Sequence, residues 1–251
     1  MTLRAPGQRY SKAAKASSKT VLIIGASGLV GTAAAIAFQT SGWSVVTVSR
    51  RAPELLQRSN TRHLSLDLQD SAACTRAAET LENISHVVYT AVYEMPGLIQ
   101  GWSDPQQIET NAKMLRNILE PLAETGKLQH VTLLQGTKAY GGAVRPMRIP
   151  AREDQPRVDH PNFYWEQEDY LRDKSADSNF DFTILRPQLI VGPNHGVVMN
   201  LPPVVGAYAA IRQFEGLPFS FPGGPDWVWE AVDARLVGNA CVWAASHPIS
   251  A

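Results

Sequence analysis

Short apolar runs alternate along the chain with longer segments in which apolar residues recur at helical spacing. The apolar runs predict β-strands at 21–24, 44–48, 63–66, 86–90, 130–134 and 182–186. Helices are predicted at 29–41, 70–82, 105–124, 163–175 and 231–246. This alternation is typical of an α/β fold with a doubly wound parallel sheet of the Rossmann type. Ligands of such sheets bind beyond the carboxyl ends of the strands.

The first predicted strand runs directly into a glycine-rich turn and an alanine-rich helix. Residues 21–31 read Val-Leu-Ile-Ile-Gly-Ala-Ser-Gly-Leu-Val-Gly. In this context one glycine allows the tight turn, one lets the backbone approach a pyrophosphate, and one lets the helix pack on the strand. The pyrophosphate then meets the free N–H groups and the positive end of the helix dipole. We therefore expect a dinucleotide site here.

The end of the second strand indicates which dinucleotide is bound. It reads Ser49-Arg50-Arg51. A carboxylate at this place would accept hydrogen bonds from the adenosine ribose, whereas two guanidinium groups suit a 2′-phosphate. The sequence therefore predicts NADP(H) rather than NAD(H).

The next two strands end in residues that suit other parts of the cofactor. Asp67-Leu68 follows the third strand, and Thr90-Ala91-Val92 ends the fourth. Asp67 has two open roles: a hydrogen bond to the adenine amino group, or the N-cap of a helix that starts near Ser71. Small residues at 90–92 would let the nicotinamide ribose lie close to the backbone.

Composition excludes several classes of protein. The 251 residues fit one large domain, alone or with a small appendage, and the 23 basic residues balance the 23 acidic ones. Neither nucleic acid nor a membrane surface is indicated as a partner, and no apolar run approaches the length of a membrane span. Cys74 and Cys241 form no metal or redox motif and are expected to be buried thiols in a reducing compartment. The scattered histidines predict no metal site, and we predict a cytoplasmic protein.

Three regions are predicted. Residues 1–19 carry five basic and no acidic residues, which is typical of a flexible basic tail, with an organelle transit peptide as the alternative. Residues 20–195 are expected to form the NADP-binding domain. Residues 196–251 are expected to form a partial substrate-binding cap.

Two segments after the fifth strand contain candidate catalytic residues. The loop Gln135-Gly136-Thr137-Lys138 places a lysine at the carboxyl end of a central strand, where it either points into the ligand crevice or is solvated. The helix after Pro161 places Tyr164, Glu168 and Leu171 on one face.

The glycine turn resembles that of short-chain dehydrogenases/reductases, in which the corresponding helix carries Tyr-x-x-x-Lys. Here Glu168 stands in place of that lysine. The pairing of Thr137-Lys138-x-Tyr140 with Asn162-Phe163-Tyr164 resembles instead the progesterone 5β-reductase/iridoid synthase-like family, an atypical branch of these enzymes. Further matches within residues 20–247 are Asn111 to Asn117, Arg186-Pro187 with Ile190 and Gly192, Met199 to Leu201, 206–211 and 217–223.

The resemblance implies an NADPH-dependent reductase of enones or enals in which hydride is delivered to the β-carbon. Tyr164 and Lys138 would stabilise the carbonyl oxygen as it becomes an enolate, and Lys138 would lower the pKa of the tyrosine. Glu168 would pair with Arg172 on the helix surface. The residues expected to bind cofactor are Gly25, Ser27, Gly28, Leu29, Val30, Ser49, Arg50, Arg51, Asp67, Leu68, Thr90, Ala91, Val92, Gln135, Gly136, Pro187 and Ile190.

The expected substrate is a small apolar carbonyl compound. Glu94 and Met95 follow the fourth strand and are best placed to meet it. Aromatic residues that either line the substrate site or pack in the core are Tyr93, Trp102, Phe214, Phe219, Phe221, Trp227 and Trp229. Members of the family normally continue beyond the position of Ala251, so the cap is expected to be incomplete, and a homodimer is one way to complete it.

Two other functions stay open from the sequence. One is an isomerase or cyclase of secondary metabolism in which hydride transfer is dispensable. The other is a dinucleotide-sensing protein that binds NADP(H) without turnover.

Overall fold

The computed structural model describes residues 19–54, 61–81, 83–96, 101–142, 144–178, 180–194, 199–224 and 230–247. Within these residues six strands form one parallel sheet in the order β3-β2-β1-β4-β5-β6. The strands are β1 (Thr20–Ile24), β2 (Ser44–Ser49), β3 (Thr61–Ser65), β4 (His86–Tyr89), β5 (His130–Leu134) and β6 (Asp181–Leu185). The basic segment 1–18 lies outside the described residues, as do Trp227 and Trp229.

The sheet confirms the predicted Rossmann-type fold and each of its six predicted strands. The two central strands, β1 and β4, are almost wholly buried, which explains their continuous apolar sequence. Strand order reverses between them, because β2 follows β1 on one side whereas β4 pairs with β1 on the other. A ligand crevice is expected above the carboxyl ends of the strands at such a reversal.

Helices cover both faces of the sheet, and the five predicted helices are confirmed. They are α1 (Leu29–Thr40), α2 (Ser71–Glu79), α3 (Pro105–Glu124), α4 (Phe163–Ser178) and, after one further helix, α6 (Ala234–Ser246). The last one starts three residues later than predicted because residues 231–233 form a strand instead.

Three elements were not predicted. β7 (Leu189–Val191) and β8 (Ala231–Asp233) pair in parallel as a small second sheet, and each is too short to show a pattern. Helix α5 (Leu201–Phe214) lies in a segment for which the sequence predicted neither a helix nor a strand. Its two prolines suggest a break in the sequence, but they occupy the first helical positions, where proline is favourable.

Helix α6 lies against α1 on one face of the sheet. Cys241 and Ala245 pack with Val21, Ile23 and Phe38 in a buried cluster. Gly238 permits the close approach of the two helices, because a Cβ atom there would lie 2.7 Å from the carbonyl oxygen of Ala33. This helix therefore packs directly on the sheet, while the predicted division into domains stays a prediction.

The opposite face of the sheet is covered by α2, α3 and α4. Leu115, Ile118 and Leu119 of α3 pack with Leu22 and Tyr89 in the larger buried cluster. Among the described residues, no helix combines the length and the apolar character needed to cross a bilayer.

Candidate active site

A crevice lies above the carboxyl ends of the central strands and consists of two adjoining cavities. The first is lined by Arg50, Arg51 and Asp67, and the second by Tyr164. Both cavities are lined by Gly28 and by residues 90–92, so the two form one continuous crevice across the start of α1. This elongated shape suits a dinucleotide.

Most of the residues predicted to bind cofactor line this crevice. Those in the first cavity are Gly25, Ser27, Gly28, Ser49, Arg50, Arg51, Asp67, Leu68, Thr90, Ala91 and Val92. The second cavity adds Leu29, Val30, Gln135 and Ile190. Gly136 lies next to Tyr164, which lines the second cavity, since a Cβ atom at Gly136 would be 3.3 Å from the Tyr164 hydroxyl; the carbonyl oxygen of Pro187 would be 3.5 Å from the same Cβ atom.

The glycine turn has the tight geometry that a pyrophosphate cradle needs. Gly25 adopts φ +84°, and a Cβ atom there would lie 2.7 Å from the amide nitrogen of Ala91. At Gly31 a Cβ atom would collide with the carbonyl oxygen of Gly25. Gly28 caps α1 without a side-chain hydrogen bond, so the N–H groups of the first helical turn remain available to a ligand. The residues present therefore fit a dinucleotide.

Hydrogen bonds fix the backbone of the arginine pair at the adenosine end of the crevice. The Ser49 hydroxyl donates to the carbonyl oxygen of Arg51 at 2.6 Å, and the Ser65 hydroxyl donates to that of Arg50 at 3.0 Å. Both arginine side chains are exposed and line the first cavity. Their guanidinium groups can reach a phosphate bound there.

The structure rules out one of the two roles left open for Asp67. Helix α2 is capped by Asp70, whose carboxylate accepts a hydrogen bond from the amide of Ala73. Asp67 instead accepts a hydrogen bond from the amide of Gln69 at 3.0 Å and lines the first cavity. The capping role for Asp67 is therefore wrong.

Tyr164 is positioned at the first turn of α4 by two polar contacts. Its amide donates to the Asn162 side-chain oxygen at 3.0 Å, and the Asn162 side-chain amide donates to the carbonyl oxygen of Lys138 at 3.2 Å. This ties the loop after β5 to the start of α4. The phenol ring lines the second cavity, and its hydroxyl lies over Gly136, where a Cβ atom would be 3.3 Å away.

Trp102 lies between the two residues predicted to be catalytic. Its ring stacks on Phe163 with centroids 4.8 Å apart and meets Tyr164 edge-on at 5.4 Å. The ammonium nitrogen of Lys138 lies 3.2 Å from the centroid of the Trp102 ring. In the part of the chain that the structure describes, Lys138 donates no hydrogen bond to the Tyr164 hydroxyl. The two residues converge through the indole and not by direct contact.

Burial changes the proton affinity of both residues. It lowers the pKa of Lys138 to about 8, although the nearby Glu94 opposes this change. It raises the pKa of Tyr164, and Glu94 adds to that increase. The expectation that Lys138 lowers the pKa of the tyrosine is therefore wrong. At neutral pH the phenol keeps its proton and can donate a hydrogen bond.

Glu168, which replaces the lysine of typical short-chain dehydrogenases, is buried among arginines. Its side chain is only 5% exposed and accepts from Arg172 at 2.9 Å and from Arg186 at 2.7 Å. Arg157 lies 3.3 Å away. Burial acts to raise the pKa of Glu168, but the arginines outweigh it and hold that pKa below its usual value. The predicted pairing with Arg172 is confirmed, whereas the predicted surface position is wrong.

The Glu168 cluster also fixes the backbone of the tyrosine. Arg186 donates to the side-chain oxygen of Gln135 at 2.9 Å, and the side-chain amide of Gln135 donates to the carbonyl oxygen of Tyr164 at 3.0 Å. A continuous polar chain thus runs from Glu168 to Tyr164. Sequence reasoning missed this role, because no local spacing connects β5, β6 and α4.

The aromatic candidates divide into three groups. Trp102 lines the second cavity and Tyr93 the first. Phe214, Phe219 and Phe221 are neither in the crevice nor in the core, with Phe214 93% exposed. Trp227 and Trp229 lie outside the described residues, so the structure does not place them.

Comparison with known proteins gives three consistent findings. Residues 21–250 match the NAD dependent epimerase/dehydratase family. An (S)-8-oxocitronellyl enol synthase of Catharanthus roseus is 31% identical over 97% of this chain and 64% of its own length. A 3-oxo-Delta(4,5)-steroid 5-beta-reductase of Arabidopsis thaliana is 32% identical over 90% of this chain and 61% of its own length. The chain thus spans less than two thirds of the length of these relatives.

Solved structures show the same fold at lower identity. UDP-glucose 4-epimerase from Bifidobacterium longum, in complex with NAD+ and UDP, superimposes with a TM-score of 0.72 at 20% identity, covering 91% of this chain and 74% of that one. The Bordetella bronchiseptica enzyme WbmH, in complex with NAD+, has a TM-score of 0.65 at 22% identity, covering 91% and 73%. These likenesses establish the Rossmann-type fold.

Proposed function

The chain belongs to the NAD dependent epimerase/dehydratase family, with iridoid synthases and steroid 5β-reductases among its homologues, and from that premise we propose that it is an NADPH-dependent reductase of α,β-unsaturated carbonyl compounds. The motif resemblance to the progesterone 5β-reductase/iridoid synthase-like group is confirmed by these homologues.

The crevice is proposed to hold NADP(H). Gly25, Gly28 and the start of α1 would bind the pyrophosphate, and Arg50 with Arg51 would bind the 2′-phosphate. The absence of a carboxylate at 49–51 supports NADP(H) over NAD(H). When bound, the nicotinamide supplies the hydride. Residues 90–92 and Ile190 would hold its ring beside Tyr164 in the second cavity.

Tyr164 is proposed to act as the hydrogen-bond donor to the substrate carbonyl. Its protonated hydroxyl lies over Gly136 in the cavity that also contains Gly28 and Thr90, and this position is the observation that carries the proposal. As hydride reaches the β-carbon, negative charge develops on the carbonyl oxygen. A preorganised donor stabilises that charge only in the transition state and so raises the rate.

Lys138 is proposed to contribute charge and not a direct hydrogen bond. Its ammonium group lies over the Trp102 ring, which also meets Tyr164 edge-on. A positive charge near the reacting carbonyl group favours the developing enolate, and the effect is stronger where water is excluded. Lys138 is mostly protonated at neutral pH, because its pKa is about 8.

An isomerase or cyclase on the same site is the second candidate. Several relatives are named enol synthases, which favours a product that leaves the site as an enol. A binding protein without turnover is the third candidate. Consumption of NADPH separates the reductase from the other two, and formation of a product separates those two from each other.

The test is NADPH oxidation by the purified protein with a panel of simple enones and enals. Replacing one oxyanion donor typically costs about two to three orders of magnitude in kcat, so Tyr164→Phe should lose about a hundredfold or more. Tyr208→Phe is the matched control, since Tyr208 lies on α5 and donates to the carbonyl oxygen of Ser220.

Each contrary outcome points to one alternative. Undiminished turnover in Tyr164→Phe removes that residue from the mechanism. Product formed without loss of NADPH favours the isomerase or cyclase. Tight NADPH binding without turnover of any carbonyl favours the sensing protein.

A further inference from the structure

The backbone on both sides of Glu94 is held by two buried amide side chains of α3. Asn111, which is 0% exposed, accepts a hydrogen bond from the amide of Tyr93 and donates one to its carbonyl oxygen, each at 2.8 Å. Gln107, which is 1% exposed, accepts a hydrogen bond from the amide of Met95 at 2.7 Å. These contacts fix the backbone on both sides of Glu94 and therefore the direction in which its side chain leaves the chain.

That direction places Glu94 in the wall of the second cavity, together with Tyr164 and Trp102. Its Oε1 atom is buried and accepts no hydrogen bond from any described residue. The nearby cation, Lys138, makes no ion pair with it among the described residues and lies over the Trp102 ring instead. A buried carboxylate oxygen without a donor is costly, so such a group in a native structure requires a physical explanation, of which a role at a functional site is one.

A second unpaired group lines the same cavity. The indole nitrogen of Trp102 is buried and donates to no described residue. Two residues of the cavity wall therefore carry an unpaired acceptor and an unpaired donor, and each atom is buried from solvent until its side chain turns towards the cavity. A hydroxyl group is the substituent that satisfies both, because it donates one hydrogen bond and accepts others.

We propose that Glu94 accepts a hydrogen bond from a hydroxyl group of the substrate, so that the enzyme prefers hydroxylated enones to unsubstituted ones. This rests on the proposed reductase function and narrows the substrate expected from the sequence, which was simply apolar. A neutral hydroxyl is favoured over an ammonium group, because Lys138 beside Glu94 would repel a second cation. A site built to bind a hydroxyl strongly rejects the analogue that lacks it.

The experiment compares kcat/KM for cyclohexenone with the values for hydroxycyclohexenones, a set of regioisomers that carry the hydroxyl group at different ring positions. In the wild-type protein at least one regioisomer should exceed cyclohexenone by about tenfold or more. In Glu94→Leu that ratio should fall towards one, and in Glu94→Gln, which keeps one acceptor oxygen, it should be intermediate. Glu166→Leu, at an exposed position on α4, should keep the wild-type ratio. An unchanged ratio in Glu94→Leu, or a wild-type preference for cyclohexenone over all regioisomers, would overturn the inference.

A binding measurement separates this inference from the proposed function. Calorimetry with the protein–NADP+ complex compares cyclohexanone, its hydroxylated derivatives and an amino derivative, in wild type and Glu94→Leu. A hydroxyl-dependent gain in affinity that is lost in Glu94→Leu supports the inference even when no enone is reduced. Equal affinity for all three ligands, or tightest binding of the amine, contradicts it.

Discussion

The ammonium nitrogen of Lys138 lies 3.2 Å from the centroid of the Trp102 ring, and the same ring meets the phenol of Tyr164 edge-on. The two residues on which the proposed reaction depends thus come from different segments and are brought together by an indole. A cation held over an aromatic face is stabilised without a counter-ion. Its charge would therefore be available to the enolate that the proposed reaction forms beside Tyr164.

The first prediction concerns the pH dependence of turnover. Because burial lowers the pKa of Lys138 to about 8, its positive charge is present below that pH and lost above it. We expect kcat/KM to fall on the alkaline side with this apparent pKa. Lys138→Met should turn over more slowly and lose this limb of the profile. Lys113→Met, which removes an exposed partner of Glu109, should keep it. An unchanged limb in Lys138→Met would show that another group titrates.

The Glu94 carboxylate raises the pKa of Lys138. Its replacement by glutamine should therefore move the alkaline limb to lower pH. A shift to higher pH in Glu94→Gln would contradict the electrostatic relation between the two residues.

The second prediction concerns the buried carboxylate of α4. Removing one partner of a buried ion-pair cluster leaves the remaining charges uncompensated, at a cost of about 3 kcal/mol. Glu168→Ala should lower the free energy of unfolding by about this amount and reduce kcat, because Arg186 and Gln135 no longer fix Tyr164. Asp169→Asn, which alters an exposed partner of Arg157, should change little. Urea denaturation and steady-state kinetics measure both effects, and equal stability of the two variants would refute the assignment.

The third prediction concerns the choice of dinucleotide. A hydrogen bond to a charged group contributes about 1.5–3 kcal/mol, so replacing Arg50 and Arg51 by alanine should weaken NADPH binding by at least about tenfold. NADH binding should stay unchanged, since NADH lacks the 2′-phosphate. Arg148→Ala, at an exposed position outside the crevice, is the control. An equal loss for both dinucleotides would assign the arginines a general electrostatic role.

The fourth prediction concerns the stability contributed by two buried histidines, which are the first residues of β4 and β5. Burial lowers the pKa of both His86 and His130 from 6.5 to about 4. Between these two pH values each ring is therefore neutral in the folded protein, whereas the same ring in the unfolded chain binds a proton. Lys19 and His130 also lower the pKa of His86, whereas Asp181 raises that of His130. The free energy of unfolding should therefore decrease as the pH falls from 6.5 towards 4, and at pH 5 the decrease should be about 2 kcal/mol per histidine.

Chemical denaturation at pH 7 and pH 5 measures this loss. His130→Leu removes one titrating ring and should show a smaller loss between the two pH values. His247→Gln, at an exposed position, should behave as the wild type. An equal loss in His130→Leu would contradict the prediction.

The strands, the glycine turn and the helix with Tyr164 follow from local sequence, because alternation, glycine spacing and helical periodicity are visible within short segments. Helix α5 was not predicted, because the proline pair at its start is compatible both with a break and with a first helical turn. Neither short strand of the second sheet has enough residues to show a period.

Long-range relationships in the site are not visible in this way. Glu168 follows helical spacing with Arg172, which predicts a surface pair. Its burial depends instead on Arg186, which directly follows β6, and on Arg157 from the loop before α4. Similarly, the sequence predicted Glu94 near the substrate but did not reveal what holds its backbone. That backbone is held by the side-chain amides of Asn111 and Gln107 in α3, which lie far from it in sequence.

The most direct test of the central claim uses NADPH that carries deuterium at the reactive C4 position of the nicotinamide. The wild-type protein is incubated with an enone, and the product is examined by NMR spectroscopy. We predict a saturated ketone with deuterium on the β-carbon, and a large loss of this product in Tyr164→Phe. Deuterium on the carbonyl carbon of an alcohol, or a product without label, would contradict the account.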